Sequence, residues 1–181
     1  MKRNVQIVLL CEDTQHETFA RRFLKETGWS TRRLRVEKAP GGRGSAEQFV
    51  RVRFPKELAA YRRQQGAVAQ ALIVILDGDR KGARRRQADL DEVCRANQVD
   101  VRRWDERVLV LVPTWNIETW IAYLDGQTVD EAEPNYSRLP RPRECQSRVE
   151  TLAAMCRDRI LRAPAPPSLE SACTEYARLS Q

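Results

Sequence analysis

Three nearly continuous apolar segments constrain the fold of this chain more than any other feature. They occupy Val5–Leu10, the segment QALIVILDGD that begins at Gln70, and Arg107–Pro113. A strand with one solvated face alternates apolar and polar residues, whereas a strand covered on both faces is apolar along most of its length. We therefore expect these segments to be buried strands of a mostly parallel sheet with helices on both faces.

Stretches with helical spacing separate the strands. In the first of them, Phe19, Phe23 and Leu24 line one side while basic residues point outward. A shorter segment, Leu34–Lys38, alternates apolar and charged residues and is predicted to be a further strand. The predicted helices are Thr14–Thr27, Ala46–Gln65, Gly82–Ala96 and Asn116–Leu124. This order of elements predicts a Rossmann-like α/β fold.

The composition changes after residue 126. A polar stretch with three prolines runs from Gly126 to Pro142, and two predicted helices follow it, at Glu144–Ile160 and Ser168–Leu179. We therefore expect residues 1–126 to form the α/β domain, and residues 127–181 to form a linker and a helical extension that packs on the same domain.

The charge balance favours an acidic partner. The chain has 32 Lys and Arg residues against 25 Asp and Glu, a net charge of +7 in which most of the excess is arginine. Arginine binds phosphate with two parallel donors, so nucleic acid is a natural partner. The alternative is a basic protein whose arginines are solvated or paired with its own carboxylates.

The spacing of the cysteines and the lengths of the apolar segments indicate the cellular compartment of the protein. The five cysteines include no CxxC pair, which favours reduced thiols in the cytoplasm over disulfides or a zinc site. No signal peptide is recognisable, and no segment approaches the roughly 20 apolar residues of a membrane helix. We expect a cytoplasmic protein without membrane contact.

Carboxylates follow two of the buried strands. Glu12 comes after the first, and Asp77 and Asp79 come after the strand that begins at Gln70. Ligands of open α/β sheets lie outside the carboxyl ends of the strands, so we expect these acids to meet there, with Asp77 and Asp79 pointing the same way if the chain is extended. Crowded carboxylates need a cation, and Mg²⁺ or Mn²⁺ suits oxygen ligands. The alternative is that the acids cap helices or face solvent.

These motifs resemble the Toprim domain shared by topoisomerases, primases and OLD-type (overcoming lysogenization defect) nucleases. Glu12, the Asp77-Gly78-Asp79 motif, PGGRGS before the second helix and VPTWNIETWIAYLD after the last strand carry the resemblance, which covers roughly residues 4–125. The last two segments look most like small stand-alone Toprim proteins of bacteria. The resemblance implies cleavage or rejoining of nucleic-acid phosphodiesters with Mg²⁺, and commonly an ATPase partner.

Carried over by position, the resemblance makes Glu12 a metal ligand or general acid/base, and Asp77 and Asp79 metal ligands. Glu118 would complete the metal site or orient the chain there. The family usually has glycine where this chain has Asp13. His16 stands where a second glutamate is expected, so either this histidine replaces a carboxylate, which would favour Mn²⁺, or Glu17 takes that catalytic place, or the site has lost activity.

Basic residues adjoin the acids. They are candidates for binding nucleic-acid phosphates, or they form a solvated helix face paired with Asp89 and Asp91. The candidates are Arg80, Lys81, Arg84 and Arg85, together with Arg43 of the PGGRGS loop. Together with the resemblance, these residues predict a metal-dependent endonuclease of DNA or RNA. The resemblance alone implies that it is the effector of a bacterial anti-phage defence system working with an ATPase. The alternative is a non-catalytic Toprim-like subunit that binds an ATPase or nucleic acid.

Overall fold

Four strands form one parallel sheet, which confirms the predicted α/β fold class. The computed structural model describes residues 5–41, 45–134 and 136–180. The strands are β1 (Gln6–Cys11), β2 (Leu34–Lys38), β3 (Gln70–Ile75) and β4 (Val108–Leu111). The α-helices are α1 (Thr14–Glu26), α2 (Ala46–Arg63), α3 (Gly82–Ala96), α4 (Ile117–Leu124), α5 (Gln146–Asp158) and α6 (Pro167–Ala177), with 3₁₀ turns at Pro142–Cys145 and Arg178–Ser180.

The strand order β2-β1-β3-β4 places a reversal of chain direction across the sheet between β1 and β3. From β1 the chain moves outward to β2, then crosses back to β3 on the other side of β1 and continues to β4. At such a topological switch point the loops after the two strands diverge and leave a crevice at the carboxyl ends. Cys11 is paired with Ile75 in the β1–β3 register, so the residues that follow each strand begin level with one another.

Both faces of the sheet are covered, as the apolar strands require. Helices α2 and α3 pack on one face, where Phe54, Leu58 and Leu90 are fully buried against alternate strand residues. Helix α1 and the C-terminal residues cover the other face, where Leu24 and Leu179 contact the remaining strand residues. Burial on both faces explains why β1 and β3 lack the alternation of a half-exposed strand.

The C-terminal helices attach to the sheet through buried polar contacts. Glu175 of α6 accepts a hydrogen bond from the backbone N–H of Val110 in β4 at 2.9 Å and is ion-paired with Arg102. The Trp120 indole of α4 donates to the Ser168 hydroxyl at 2.7 Å. None of the helices within the described ranges combines the length and apolar character that crossing a bilayer would require.

Candidate functional site

Glu12 and Asp77 meet at the switch point. A Glu12 carboxylate oxygen accepts a hydrogen bond from the backbone N–H of Asp77 at 2.7 Å. Glu12 directly follows the last residue of β1, and Asp77 is the second residue after the end of β3. The parallel register of β1 and β3 brings the two residues together. The side chain of one predicted metal ligand therefore contacts the backbone of another, at the carboxyl-end edge of the sheet where α/β proteins bind ligands.

His16 lies beneath this pair and is fully buried. Its Nε2 is 3.0 Å from a carboxylate oxygen of Asp77. Its backbone N–H donates to the side chain of Asp13, which caps the N-terminus of α1 and fixes the position of the ring. The Nδ1 atom has no hydrogen-bond partner among the described residues.

The electrostatics of His16 favour its charged form. Burial by itself lowers the pKa of this histidine, but the hydrogen bond to Asp77 and the negative charges around the ring outweigh that effect, so the pKa lies above its usual value. Because a carboxylate oxygen can only accept, Nε2 is the donor in the contact with Asp77. The position where a second glutamate was expected thus provides a hydrogen-bond donor to this carboxylate instead.

The charge of Glu12 is not fully compensated. Burial and repulsion from Asp77 raise its pKa from 4.5 to about 7, even though the Asp77 N–H and His16 act in the opposite direction. A carboxylate held in this way favours the approach of a further cation, because binding one would relieve the repulsion.

Replacing Glu12 with Gln should raise the free energy of unfolding by about 1–3 kcal/mol at pH 8. Gln keeps an acceptor for the Asp77 N–H but has no charge. Between pH 4.5 and about 7 the folded wild type binds a proton that unfolded Glu12 has released, so wild-type stability falls as the pH rises through this window. The stabilisation should therefore be small at pH 4.5 and complete above pH 7. Denaturant unfolding in EDTA measures the free energy of unfolding of both proteins at each pH. An equal stabilisation at pH 4.5 and at pH 8 would show that it does not arise from the raised pKa of Glu12.

Asp79 does not continue an extended chain beside Asp77. Its backbone φ is 45°, and its side chain, 61% exposed, forms an ion pair with Arg86 at 2.5 Å. The cause lies in two backbone hydrogen bonds. The Gly78 N–H donates to the Pro113 carbonyl at 2.9 Å, and the Asp79 N–H donates to the Trp115 carbonyl at 2.8 Å. These bonds join the loops after β3 and β4 and turn the chain, so the two aspartates point to different partners.

Glu118 and a residue from the linker form a second part of the acidic edge. Glu118 is buried at the start of α4, and one of its oxygens accepts a hydrogen bond from Arg138 at 3.2 Å. The same guanidinium lies 3.8 Å from Asp13 and is 74% exposed. Arg138 thus presents its charge to solvent beside the site. Sequence reasoning missed it, because an arginine in a polar linker carries no periodicity that would place it here.

Glu17 has different partners. Its carboxylate accepts hydrogen bonds from Lys38 at 2.9 Å and Arg21 at 2.8 Å. Burial raises the pKa of Glu17, but these two cations outweigh it and hold the pKa below its ordinary value. The structure therefore brings His16, rather than Glu17, into contact with Asp77.

The basic residues after β3 divide into paired and exposed side chains. Lys81 and Arg85 both form ion pairs with Asp89, at 2.8 and 3.0 Å, as the second interpretation of this cluster expected. Arg80 and Arg84 are exposed and form no ion pair within the described part of the chain. Arg43 lies outside the described residues. Arg80 and Arg84 follow Asp79 closely in the chain and are exposed to solvent, as is Arg138.

The fit of a divalent ion rests on Glu12 and Asp77. Across residues 5–41, 45–134 and 136–180, no group of three or more His, Cys, Asp and Glu side chains is arranged to hold a metal. Mg²⁺, however, commonly takes only one or two protein carboxylates and completes its shell with water and substrate phosphate. Glu12 and Asp77 fit such a site, whereas Asp79 and Glu118 are each paired with an arginine.

Comparison with family models, with curated proteins and with solved structures found no match to this chain.

Proposed function

We propose that this protein is a metal-dependent phosphodiesterase that hydrolyses nucleic acid. The observation that carries the proposal is the contact between Glu12 and Asp77 at the switch point, with the pKa of Glu12 raised to about 7 because its charge lacks a full counterion. A carboxylate with a perturbed pKa at the carboxyl ends of parallel strands is a candidate for a functional site. A divalent cation matches their chemistry, and the arginines beside them match a polyanionic substrate.

Each residue has a role in this proposal. Glu12 and Asp77 would hold Mg²⁺ or Mn²⁺, which when bound supplies positive charge to the scissile phosphate and acidifies water. His16 fixes the orientation of Asp77 through its 3.0 Å contact. Arg138 donates to a non-bridging phosphate oxygen, and Arg80 and Arg84 bind the flanking phosphates of the strand.

The resemblance to small Toprim proteins extends the proposal to the cellular role and the partner of this protein. On that basis we propose an endonuclease that is the effector of a bacterial anti-phage defence system, works with an ATPase and acts in the cytoplasm. The basis is the Glu12 and Asp77-Gly78-Asp79 motif pair with the segment around Glu118. The contact of Glu12 with Asp77 and the exposed arginines support hydrolysis of nucleic acid independently of that resemblance.

A second candidate is a non-catalytic subunit that binds nucleic acid or an ATPase. The observation that favours it is the internal neutralisation of the acids. His16 contacts Asp77, Arg86 pairs with Asp79, and Arg138 pairs with Glu118. An edge neutralised in this way is stable without an added ion, and its arginines remain available for binding.

One experiment separates the two. Purified protein is incubated with supercoiled plasmid, single-stranded DNA and RNA in Mg²⁺, Mn²⁺ or EDTA, and Mn²⁺ binding is measured by calorimetry. Cleavage that requires the ion, together with saturable Mn²⁺ binding, supports the phosphodiesterase. Salt-dependent nucleic-acid binding without cleavage or Mn²⁺ binding would overturn it in favour of the second candidate.

Replacing Arg138 with Gln should lower the cleavage rate by about 10- to 100-fold, because one phosphate donor is lost, and leave Mn²⁺ affinity within about twofold. Single-turnover cleavage with saturating enzyme measures the first quantity and calorimetry the second. Arg103→Gln is the matched control, since Arg103 is also exposed and ion-paired but precedes β4 at the opposite end of the sheet. A rate equal to that of the control would remove Arg138 from the mechanism.

A further inference from the structure

We propose that Cys156 and Cys173 form a redox-active dithiol that closes reversibly to a disulfide between α5 and α6. The sulfur atoms of the two residues lie 3.8 Å apart. Their helices are adjacent along the chain and pack beside α1 on the face of the sheet opposite α2 and α3. This inference is independent of the proposed nuclease activity.

The surroundings of the pair allow both access and movement. Both cysteines are partly exposed and line an open groove bounded by the end of α1, the end of α5 and α6. On their other side lies an apolar cavity of about 50 Å³, lined by Phe23, Leu152 and Tyr176 among others. A disulfide bond is about 2 Å long, so the sulfurs must approach by about 2 Å, and the cavity leaves room for that shift.

The remaining cysteines differ from this pair. Cys11, Cys94 and Cys145 are all fully buried, on β1, on α3 and in the 3₁₀ turn before α5 respectively. Burial raises the pKa of each of these thiols, which keeps them protonated and unreactive. Peroxide should therefore discriminate between the pair and the other three.

The contact between the two sulfurs favours one thiolate within the pair, because either sulfur can donate the hydrogen bond to the other. In this proposal Cys156 is the thiolate that attacks an oxidant, and Cys173 is the thiol that resolves the product. The oxidant in this proposal is a peroxide.

The chemistry proceeds in two balanced steps. The Cys156 thiolate attacks one oxygen of hydrogen peroxide, an S–O bond forms, the O–O bond breaks, and the departing hydroxide takes a proton to become water. The Cys173 sulfur then attacks the sulfenic sulfur, the S–S bond forms, and the S–O bond breaks. The released hydroxide accepts the Cys173 proton. Two thiols thus lose two electrons and two protons while one peroxide becomes two waters.

The test treats the folded protein with hydrogen peroxide and analyses it without reduction. We expect titratable thiols in denaturant to fall from five to three, an intact mass lower by about 2 Da, and a tryptic peptide that links Cys156 to Cys173. The closed loop should raise Tm by roughly 5 °C, and dithiothreitol should reverse the shift.

Variants assign the order of events. Cys173→Ser should stop the reaction at a sulfenic acid on Cys156 that dimedone labels, whereas Cys94→Ser should form the disulfide like the wild type. If Cys173→Ser does not fold, peptide mapping of the oxidised wild type still shows whether Cys156 and Cys173 are linked. Five remaining thiols, or a link that involves any other cysteine, would overturn the proposal whatever the outcome of the cleavage assay.

Discussion

Asp77→Asn is expected to reduce metal-dependent cleavage by about 10²- to 10³-fold. Asn has the size of Asp but replaces one oxygen with an amide NH₂ and carries no charge. The substitution removes one of the two carboxylates that would hold the ion and turns the contact with His16 Nε2 from an ion pair into a neutral one. Mn²⁺ affinity should fall in parallel, because the lost interaction is with the ion itself.

The measurement is plasmid cleavage at saturating Mn²⁺, with Mn²⁺ binding measured on the same preparations. Asp105→Asn is the matched control, since Asp105 is half-exposed and ion-paired but lies before β4, at the opposite end of the sheet. It should leave both quantities unchanged. Wild-type cleavage by Asp77→Asn would show that any nuclease activity arises elsewhere, and loss of activity in both variants would point to general damage.

Glu175→Ala is expected to lower the free energy of unfolding by about 3–5 kcal/mol. Glu175 is buried, and its carboxylate accepts hydrogen bonds from the Val110 N–H of β4 and from Arg102 and is ion-paired with Arg178. Alanine would leave a strand N–H and the Arg102 guanidinium without their partner in a region that water enters poorly. The cost is that of an uncompensated buried charge together with an unsatisfied donor, not of a single lost ion pair.

Chemical unfolding followed by circular dichroism measures this effect. Glu170→Ala is the control, because Glu170 lies on the same helix but faces solvent, and its removal should change stability by less than about 0.5 kcal/mol. Equal unfolding midpoints for the two variants would mean that α6 contributes little to the stability of β4.

The strands, the helices and the meeting of Glu12 with Asp77 follow from local sequence. Residues buried on both faces give β1 and β3 their apolar runs, and parallel pairing brings the residues after them to one edge. The bounds of β2 and α3 coincide with the predicted Leu34–Lys38 and Gly82–Ala96, because apolar residues at strand or helix spacing mark each segment. Such patterns are properties of short segments, which the chain encodes locally.

The partners of the acids could not be predicted in the same way. Asp79 turns toward Arg86 because Gly78 packs against the loop after β4, a contact between segments far apart in sequence. Arg138 reaches Glu118 from a linker whose path depends on the packing of α5 and α6. Such pairings are set by tertiary contacts, so residue type and spacing identify the acids but not the cations that neutralise them.

The close contact at Gly78 has a mechanical consequence. A Cβ atom placed there would lie 2.8 Å from Pro113 O, so the absence of a side chain sets the distance between the two loops. The paired backbone hydrogen bonds hold the loop that carries Asp77 against the loop that leads into α4. Any larger residue at position 78 would therefore push these two loops apart and displace Asp77 relative to α4.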